Sequence, residues 1–501
     1  MTLLKKEIRD TTKIWIETIK ELRVDDLLGI DISEIAEYIT TDISEIKIRQ
    51  DIFIDCAKIP EIILALEKIM DAIDVIQDIL RKEKEYVTDI EKTLYSVKSL
   101  GIYIEIVTYL TAVLNANEHL LCSTRLKEFF YIFHDIAASE SFITLSNSIN
   151  AITYKANDIK SFTIAVNLNA QLEPAEIGIL SINNEYFSAS NVYTRFFGKD
   201  DTTLERATPL VKYDNSDKLL ERSLYLTINR HLCKAIKKTY RGFLSNVRDM
   251  ISPLFENYND IKFICRANKF IKRLIELKCE YCYPEPDSSC TLITSAYDPM
   301  LLNKLKYYNI VGNDVEFNKN NTSIYVLTGI NSGGKSVYLR SIGVNQILYQ
   351  LGLCVTAKKA HMKVVNALFT HFPTEYPSTD SRFVMECQKM KCIIDKMDGH
   401  SLVLMDETFS STNSSEGAAV AFQVLKHIQA KSCWCIYSTH IHEIRPYIAE
   451  LNKKNPKAEF LYVDTQNGRR TFTIKHGFID ELSYAYEIAK KFGLEFSDDD
   501  I

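Results

Sequence analysis

The sequence predicts two parts, a mainly helical part over residues 1–290 and an α/β domain of the P-loop NTPase type over residues 291–501. The α/β prediction rests on a glycine-rich loop between an apolar strand and a helix, and on two further apolar strands that end in polar residues. The helical prediction rests on apolar residues that recur at spacings of three and four before residue 290. Between residues 160 and 190 the pattern changes to short apolar or alternating runs, which predicts a small β-containing segment.

The glycine-rich loop indicates nucleotide binding. Residues 329–336 read Gly-Ile-Asn-Ser-Gly-Gly-Lys-Ser, a complete phosphate-binding pattern, and follow the apolar run 324–327. Glycines let successive backbone N–H groups turn toward phosphate oxygens where the helix begins. We expect Lys335 to contact the β- and γ-phosphates and to act in catalysis, and the Ser336 hydroxyl to ligate Mg²⁺. The residues predicted to bind the phosphates are Gly329, Asn331, Ser332, Gly333, Gly334, Lys335 and Ser336.

The two further strands supply the other groups that phosphoryl transfer needs. Residues 401–407 form an apolar run that ends in Asp406 and Glu407, and residues 433–440 form another that ends in His440. Parallel strands place their carboxyl ends at one edge of a sheet, where ligands bind. We therefore predict that Asp406 holds Mg²⁺, that Glu407 orients the attacking water and that His440 senses the γ-phosphate. The predicted cofactors are ATP and Mg²⁺.

Six motifs together resemble those of the MutS family of mismatch-repair ATPases, in the family's order and spacing. Residues 329–336 resemble its TGPNMGGKST loop, residues 355–360 its VPA-x-x-A segment, residues 380–386 its RSTFMVE signature, residues 406–417 its DEIGRGTSTYDG loop, residues 438–440 its ATH switch, and residues 483–489 its SYG-containing helix. The resemblance covers the chain from Tyr297 onward. The helical part is similar to the family's core and lever domains only in general character.

The resemblance implies an ABC-type dimer in which each ATP lies between two subunits. The partner would be an identical chain or another MutS-type chain. Ser381 matches the signature serine that contacts the γ-phosphate bound to the opposite chain, and residues 410–413 match the loop that crosses the dimer seam. Phe409 and Ser411 stand where the family has glycines in that loop.

The residues matched to the family's base pocket also depart from its pattern. Ile310 stands where the family has a phenylalanine that stacks on adenine, and His476 is loosely matched to a second base-stacking residue. The resemblance therefore predicts triphosphate binding and leaves the choice between adenine and guanine open.

The helical part contains the candidate DNA contacts. An apolar stripe near its start predicts a helix in a bundle core rather than a membrane or partner helix; it comprises Ile62, Leu66, Ile69, Ile73, Ile76 and Leu80. Basic residues at helical spacing form two further stripes, as phosphate contacts require, although an ordinary solvated helix face has the same pattern. The first stripe is Arg230, Lys234, Lys237, Lys238 and Arg241, and the second is Arg266, Lys269, Lys272 and Arg273.

The length of the helical part limits the kind of DNA structure that we expect the protein to recognise. Residues 1–290 are too few for mismatch-reading and connector domains in addition to a core and levers. We therefore expect binding to duplex or branched DNA that is not specific for a mispair.

Composition and charge fit a soluble protein of the cytoplasm, associated with the nucleoid in a bacterium. The chain is 46% hydrophobic and 25% charged, which is typical of globular domains. Its net charge of -6 gives no overall basic field, so any DNA contact must come from local patches. It has no run of eighteen apolar residues and no signal-peptide core, so no membrane partner is expected. The spacing of Cys279, Cys282 and Cys290 leaves a zinc site open.

Two functions follow from these patterns. The first is a MutS-like ATPase that couples ATP hydrolysis at a dimer interface to DNA binding in repair or recombination. The second is a dimeric ATP-dependent switch that acts on a protein partner without binding DNA. The resemblance favours the first, whereas the net charge does not.

Overall fold

The computed structural model describes residues 2–4, 12–83, 89–158, 160–171, 174–186, 252–318, 322–330, 333–373, 382–453, 457–466 and 469–478. Contacts between Cα atoms divide the chain into two compact units. The helical unit comprises Glu61–His119 and Leu126–Ile261, and the C-terminal unit comprises Thr2–Pro60, Leu120–Arg125 and Lys262–Ile501. Residues 2–60 thus group with the C-terminal part of the chain. The predicted domain boundary at residue 290 rests on sequence motifs and stays a prediction.

The regular elements alternate between helix and strand in the C-terminal part. The helices are α1 (Thr12–Leu22), α2 (Val24–Leu28), α3 (Ile32–Tyr38), α4 (Ile43–Lys58), α5 (Pro60–Glu83), α6 (Asp89–Asn117), α7 (Thr124–Ala138), α8 (Glu140–Asp158), α9 (Tyr258–Glu276), α10 (Lys335–Gln350), α11 (Arg382–Lys396), α12 (Ser414–Ala430) and α13 (Ile444–Asn452). The strands are β1 (Ser161–Leu168), β2 (Pro174–Asn183), β3 (Glu285–Pro286), β4 (Cys290–Ala296), β5 (Asn313–Asn318), β6 (Ile324–Thr328), β7 (Lys359–Met362), β8 (Ala367–His371), β9 (Ser401–Asp406), β10 (Trp434–Ser438), β11 (Ala458–Gln466) and β12 (Arg469–His476). Short 3-10 helices span Pro299–Asn303 and Tyr307–Asn309.

The helical unit is built around the apolar stripe that the spacing predicts on α5. The described stripe residues Ile62, Leu66, Ile69, Ile73 and Ile76 are all buried. Proline begins this helix, where its missing N–H costs no hydrogen bond. β1 and β2 pair antiparallel and lie inside the segment 160–190 for which the sequence predicts strands.

One helical segment in the described part of the chain, Lys98–Asn117, is long and apolar enough to cross a membrane by length and composition alone. Of its most apolar window, 44% is buried within the fold. Val107 and Leu110 of this segment are completely buried. The prediction of no membrane partner stays a prediction.

The C-terminal unit contains a six-stranded sheet in the order β12-β11-β6-β10-β9-β8. All neighbouring pairs are parallel except β11 and β12. The four strands β6, β8, β9 and β10 are buried along their whole length because helices cover both faces. Residues of α11, α12 and α13 share one core cluster with alternate strand residues such as Val403 and Tyr437. On the other face α10 approaches so closely that a Cβ at Gly343 would lie 3.0 Å from Leu404 Cδ1.

The N-terminal helix α1 packs on the β8 edge of this sheet. The buried hydroxyl of Thr18 donates a 2.6 Å hydrogen bond to the carbonyl of Leu368. Lys389 of α11 forms an ion pair with Glu21. These contacts explain why residues near the start of the chain belong to the same compact unit as the sheet.

A second sheet has the order β3-β7-β4-β5. Its strands β4 and β5 are antiparallel, and Ala296 at the end of β4 lies opposite Asn313 at the start of β5. This pairing brings the segment that follows β4 and the first residue of β5 to the same edge, where both contribute to the candidate site.

Candidate nucleotide-binding site

The glycine-rich loop lies between β6 and α10, as the sequence predicts. Gly329 has a φ of 140° and Gly334, the residue before α10, has a φ of 101°, conformations that side chains rarely adopt. A Cβ at Gly329 would come within 2.8 Å of the Val463 side chain. Lys335 is 5% exposed, and its ammonium donates to the carbonyl of Gly329 inside the loop. The predicted phosphate ligands Asn331 and Ser332 lie outside the described residues.

Strand register brings the first predicted acid beside this loop. Ser438 of β10 pairs with Leu327 of β6 on one side and with Asp406 of β9 on the other. Asp406 is 4% exposed, and its Oδ1 is buried without a hydrogen-bond partner among the described residues. Burial raises the pKa of Asp406, while the neighbouring Ser336 and Ser438 hydroxyls oppose the increase. A buried carboxylate oxygen without a partner beside a hydroxyl is a donor set that fits Mg²⁺.

The second predicted acid lies at the turn after β9. Glu407 has a φ of 48°, and its N–H donates a 2.8 Å hydrogen bond to the carbonyl of Ser438. Its carboxylate lies 3.9 Å from Nδ1 of the exposed His440. His440, together with the Lys335 charge, lowers the pKa of Glu407. Glu407 is therefore ionised near neutral pH, as a residue that orients water must be.

A cavity of about 290 Å³ opens beside the loop. Among its lining residues are Lys335, Ser336, Ile310 and Glu407. The remaining lining residues come from the segment 296–313, which joins β4 to β5, from Gly334 and the first turns of α10, and from Phe472 of β12. Its size and mixed apolar and charged lining are typical of a small-molecule site.

An aromatic residue that the sequence patterns did not reveal, Phe472, lines this cavity. Its ring is 45% exposed, and a Cβ at Gly334 would lie 3.5 Å from its Cδ1. Asn313 fixes the strand there by donating to the carbonyl of Phe472 at 3.0 Å and accepting from the N–H of Ile474 at 2.7 Å. Asn313 and Phe472 are 159 residues apart, so no local pattern could have revealed the pair.

His476 occupies a different place. It lies on the same strand as Phe472, but it lines a second cavity together with Asp314, Glu316 and Tyr325. Its ring Nδ1 is 3.4 Å from the Glu459 carboxylate. Among the described residues, Phe472 rather than His476 therefore presents a ring to the cavity beside the glycine-rich loop.

The segment after Glu407 is held by several elements. Phe409 has a φ of 66° and a ring that is 1% exposed, packed against Phe383 with ring centroids 6.1 Å apart. Its N–H donates a 3.0 Å hydrogen bond to Glu386 of α11. Asn413 caps α12 by accepting from the N–H of Ser415. Ser381, the predicted contact to the opposite subunit, lies outside the described residues.

Of the two basic stripes proposed as DNA contacts, the structure describes the second. The first, Arg230 to Arg241, lies outside the described residues. In the second, on α9, Arg266 lies 3.5 Å from Glu34, and Arg273 donates to Asn303 at 2.7 Å. Lys269 and Lys272 are exposed. Two of the four residues of the second stripe are therefore engaged within the fold, and the Glu34 carboxylate offsets the charge of Arg266.

The cysteines considered as zinc ligands have different surroundings. Cys282 forms an isolated β-bridge with Val355, and Cys279 is buried. No group of three or more histidine, cysteine or acidic side chains that could hold a metal ion is found in the described segments of the chain.

The sequence is similar to proteins of known family. MutS domain V matches residues 325–496, and the MutS2 N-terminal domain matches residues 41–210. The DNA mismatch repair protein MutS of Prochlorococcus marinus (strain AS9601) is 31% identical over 210 residues, or 41% of this chain and 22% of that protein. Endonuclease MutS2 of Streptococcus pneumoniae serotype 19F (strain G54) is 33% identical over 190 residues, or 37% of this chain and 24% of that protein. The match thus spans less than a quarter of the length of each of these curated relatives.

Proposed function

The chain belongs to the MutS family, and from this premise we propose that it is an ATPase that works at a dimer interface and couples ATP hydrolysis to DNA binding in repair or recombination. The observation that carries the proposal is the convergence of Lys335, Asp406, Glu407 and His440 at the carboxyl ends of three parallel strands. Ligands of open α/β sheets bind at this edge. ATP is the proposed substrate and Mg²⁺ the proposed cofactor.

Each residue has a role that follows from its position. Lys335, buried in the loop, offers its charge to the β- and γ-phosphates once a nucleotide replaces the Gly329 carbonyl as its partner. Ser336 and Asp406 would hold Mg²⁺, which supplies charge neutralisation on the phosphate oxygens when it is bound. Glu407 orients the attacking water, and His440, 3.9 Å away, is placed to sense the γ-phosphate. Phe472 and Ile310 also line the cavity and would contact the base.

The dimer is the second part of the proposal. Ser381 of one subunit would contact the γ-phosphate bound to the other, and residues 410–413 would lie at the seam. Support comes from the resemblance of Ser381 and this loop to family motifs, and both lie within the segment 325–496 that matches MutS domain V.

Nucleotide binding and hydrolysis test the first part. We expect ATP to bind in the presence of Mg²⁺ in calorimetric titrations and phosphate to be released over time. Lys335→Ala should abolish both signals, because the charge facing the phosphates is removed. Lys475→Ala is the matched control, since that exposed lysine pairs with Asp464 at 2.8 Å outside the cavity. Equal ATP binding by wild type and Lys335→Ala would contradict the site.

DNA binding tests the third part. Gel-shift assays at low salt should detect binding of duplex and branched DNA, with a lifetime that changes with ATP. A single mispair should add little affinity. Changing Lys234, Lys237 and Lys238 to Gln should weaken binding to all sequences and reduce the salt slope by about one for each phosphate that the protein no longer neutralises.

A control with the same charge change separates a local patch from a global effect. Three exposed lysines on α11 and α12 serve for this, namely Lys391, Lys396 and Lys426. Their conversion to Gln should leave DNA affinity within about twofold of wild type, since they are not in the proposed stripe. Failure to bind any DNA in either nucleotide state would favour the ATP-dependent switch on a protein partner.

A further inference from the structure

A buried carboxylate on α11 connects that helix to the segment that follows Glu407. Glu386 is 2% exposed. Its Oε2 accepts hydrogen bonds from the N–H of Phe409 at 3.0 Å and from the Ser411 hydroxyl at 3.1 Å. Its Oε1 accepts from Nε of Arg382 at 2.9 Å. Two donors on one oxygen and one on the other satisfy a carboxylate that burial would otherwise penalise.

The same segment is fixed from its other sides. The Thr408 hydroxyl lies 3.0 Å from Nδ1 of His371 at the end of β8, and the Tyr437 hydroxyl donates to the carbonyl of Thr408 at 3.0 Å. The Glu407 N–H is bonded to the Ser438 carbonyl. The backbone from 407 to 409 is therefore bonded to β10 and, through the Glu386 carboxylate, to α11, while the Thr408 side chain contacts β8.

We propose that Glu386 is a positioning residue for ATP hydrolysis, which acts by holding the loop after β9 so that Glu407 points at the attacking water. The inference rests on the proposed ATPase function. Glu407 has a φ of 48°, and Phe409, two residues on, has a φ of 66°. Backbones of this kind persist where their surroundings fix them, and Glu386 supplies one such hydrogen bond to Phe409. Glu386 is not among the lining residues of the nucleotide cavity, so its loss should leave ATP affinity intact.

The test is a change that keeps the shape of the side chain. Glu386→Gln replaces one oxygen by an N–H₂ group, which only donates. The one oxygen that remains cannot accept from both Phe409 and Arg382, which bond different oxygens of Glu386. We expect kcat to fall about 10- to 100-fold, because small misplacement of a catalytic group has effects of this size, with KM within about twofold of wild type. Asp395→Asn is the matched control, since that exposed carboxylate on the same helix pairs with Lys391 and, in the contacts described, not with the loop after β9. It should retain wild-type kcat.

A double variant separates positioning from general support of the fold. If Glu386 acts through Glu407, Glu386→Gln should add nothing to the loss already caused by Glu407→Gln in single-turnover hydrolysis. Losses that multiply would overturn the inference, as would a wild-type kcat in Glu386→Gln. Should Glu386→Gln not fold, Ser411→Ala removes one donor and keeps the carboxylate. Its expected loss in kcat is about 2- to 10-fold, again absent in the Glu407→Gln background, and a multiplied or missing loss would overturn the inference in the same way.

The outcome also tells the two proposals apart. If the wild-type protein does not hydrolyse ATP, or if Glu407→Gln hydrolyses it at the wild-type rate, the proposed function fails and the role of Glu386 fails with it. If both of those controls behave as expected and Glu386→Gln is fully active, the role of Glu386 alone is refuted.

Discussion

At Phe409, replacement by glycine should destabilise the protein less than replacement by alanine. Its ring is buried and packs against Phe383, so Phe409→Ala should cost about 3–5 kcal/mol through poorer packing and a residual cavity. Its φ of 66°, however, is unfavourable for every residue with a Cβ, by about 1–2 kcal/mol. Glycine avoids that cost, and loses about 0.5–1 kcal/mol through the greater freedom of the unfolded chain. Phe409→Gly should therefore be more stable than Phe409→Ala by about 0.5–1 kcal/mol.

Thermal unfolding by calorimetry measures this difference. For a domain of this size each kcal/mol shifts Tm by about 2–4 °C, so Phe409→Ala should lower Tm by about 6–20 °C and Phe409→Gly by about 1–4 °C less. Phe422 is the matched control, because it is 6% exposed and stacked on Tyr447 with ring centroids 4.9 Å apart, but lies within α12. There Gly should be worse than Ala by about 1 kcal/mol.

We thus expect the glycine variant to be more stable than the alanine variant at position 409 and less stable at position 422. If Phe409→Gly were less stable than Phe409→Ala by the same margin as at Phe422, the left-handed conformation would not contribute to stability at this loop. That result would refute the role assigned to the backbone here, whatever the size of the packing loss. The family loop that this segment resembles has glycine where Phe409 stands, so the Gly variant also restores that pattern.

Three further predictions concern the site. Glu407→Gln should bind ATP with wild-type affinity and hydrolyse it about 10²- to 10⁴-fold more slowly in single-turnover assays, and an unchanged rate would exclude Glu407 as the water-orienting residue. Ser381→Arg should bind ATP without hydrolysing it, and mixing it with Lys335→Ala should restore about one working site per mixed dimer; no recovery between two folded, associated proteins would argue against a composite site. Phe472→Ala should weaken ATP binding by about 1–3 kcal/mol, or about 5- to 150-fold, yet leave inorganic tripolyphosphate binding unchanged, because only the stacking on the base is removed. Tyr308→Ala is the control, because it removes a ring that is 75% exposed and outside the cavity lining. An equal loss of affinity for ATP and for tripolyphosphate in Phe472→Ala would refute stacking of Phe472 on the base.

The parts of the site that lie on single strands or loops could be predicted from the sequence. Lys335, Asp406 and His440 each end or follow a buried strand or begin a helix, and parallel strands place such ends at one edge. The helical stripe on α5 was predictable for a similar reason, since burial of one face leaves a period in the sequence.

Contacts between distant segments could not be predicted. The Arg266–Glu34 pair joins residues 232 positions apart, so a stripe that reads as basic in sequence is partly neutralised in the fold. Likewise, His476 is matched to the base pocket by sequence, but Phe472 lines the cavity beside the glycine-rich loop and His476 lies beside Glu459. Which of two residues on one strand faces a cavity depends on local backbone conformation, and Phe472 has a φ of 59° that no sequence pattern indicated.

The sequence by itself determined the family, and it identified the glycine-rich loop and the two acids of the proposed site, because the proposed chemistry requires particular residue types at short, fixed spacings. Only the tertiary structure decided which aromatic ring lines the cavity, which basic residues are engaged within the fold, and that Glu386 holds the loop after Glu407. Those properties depend on side chains that meet across the fold. Their distances are set by the packing of whole elements, and packing leaves no periodic or contiguous trace in the chain.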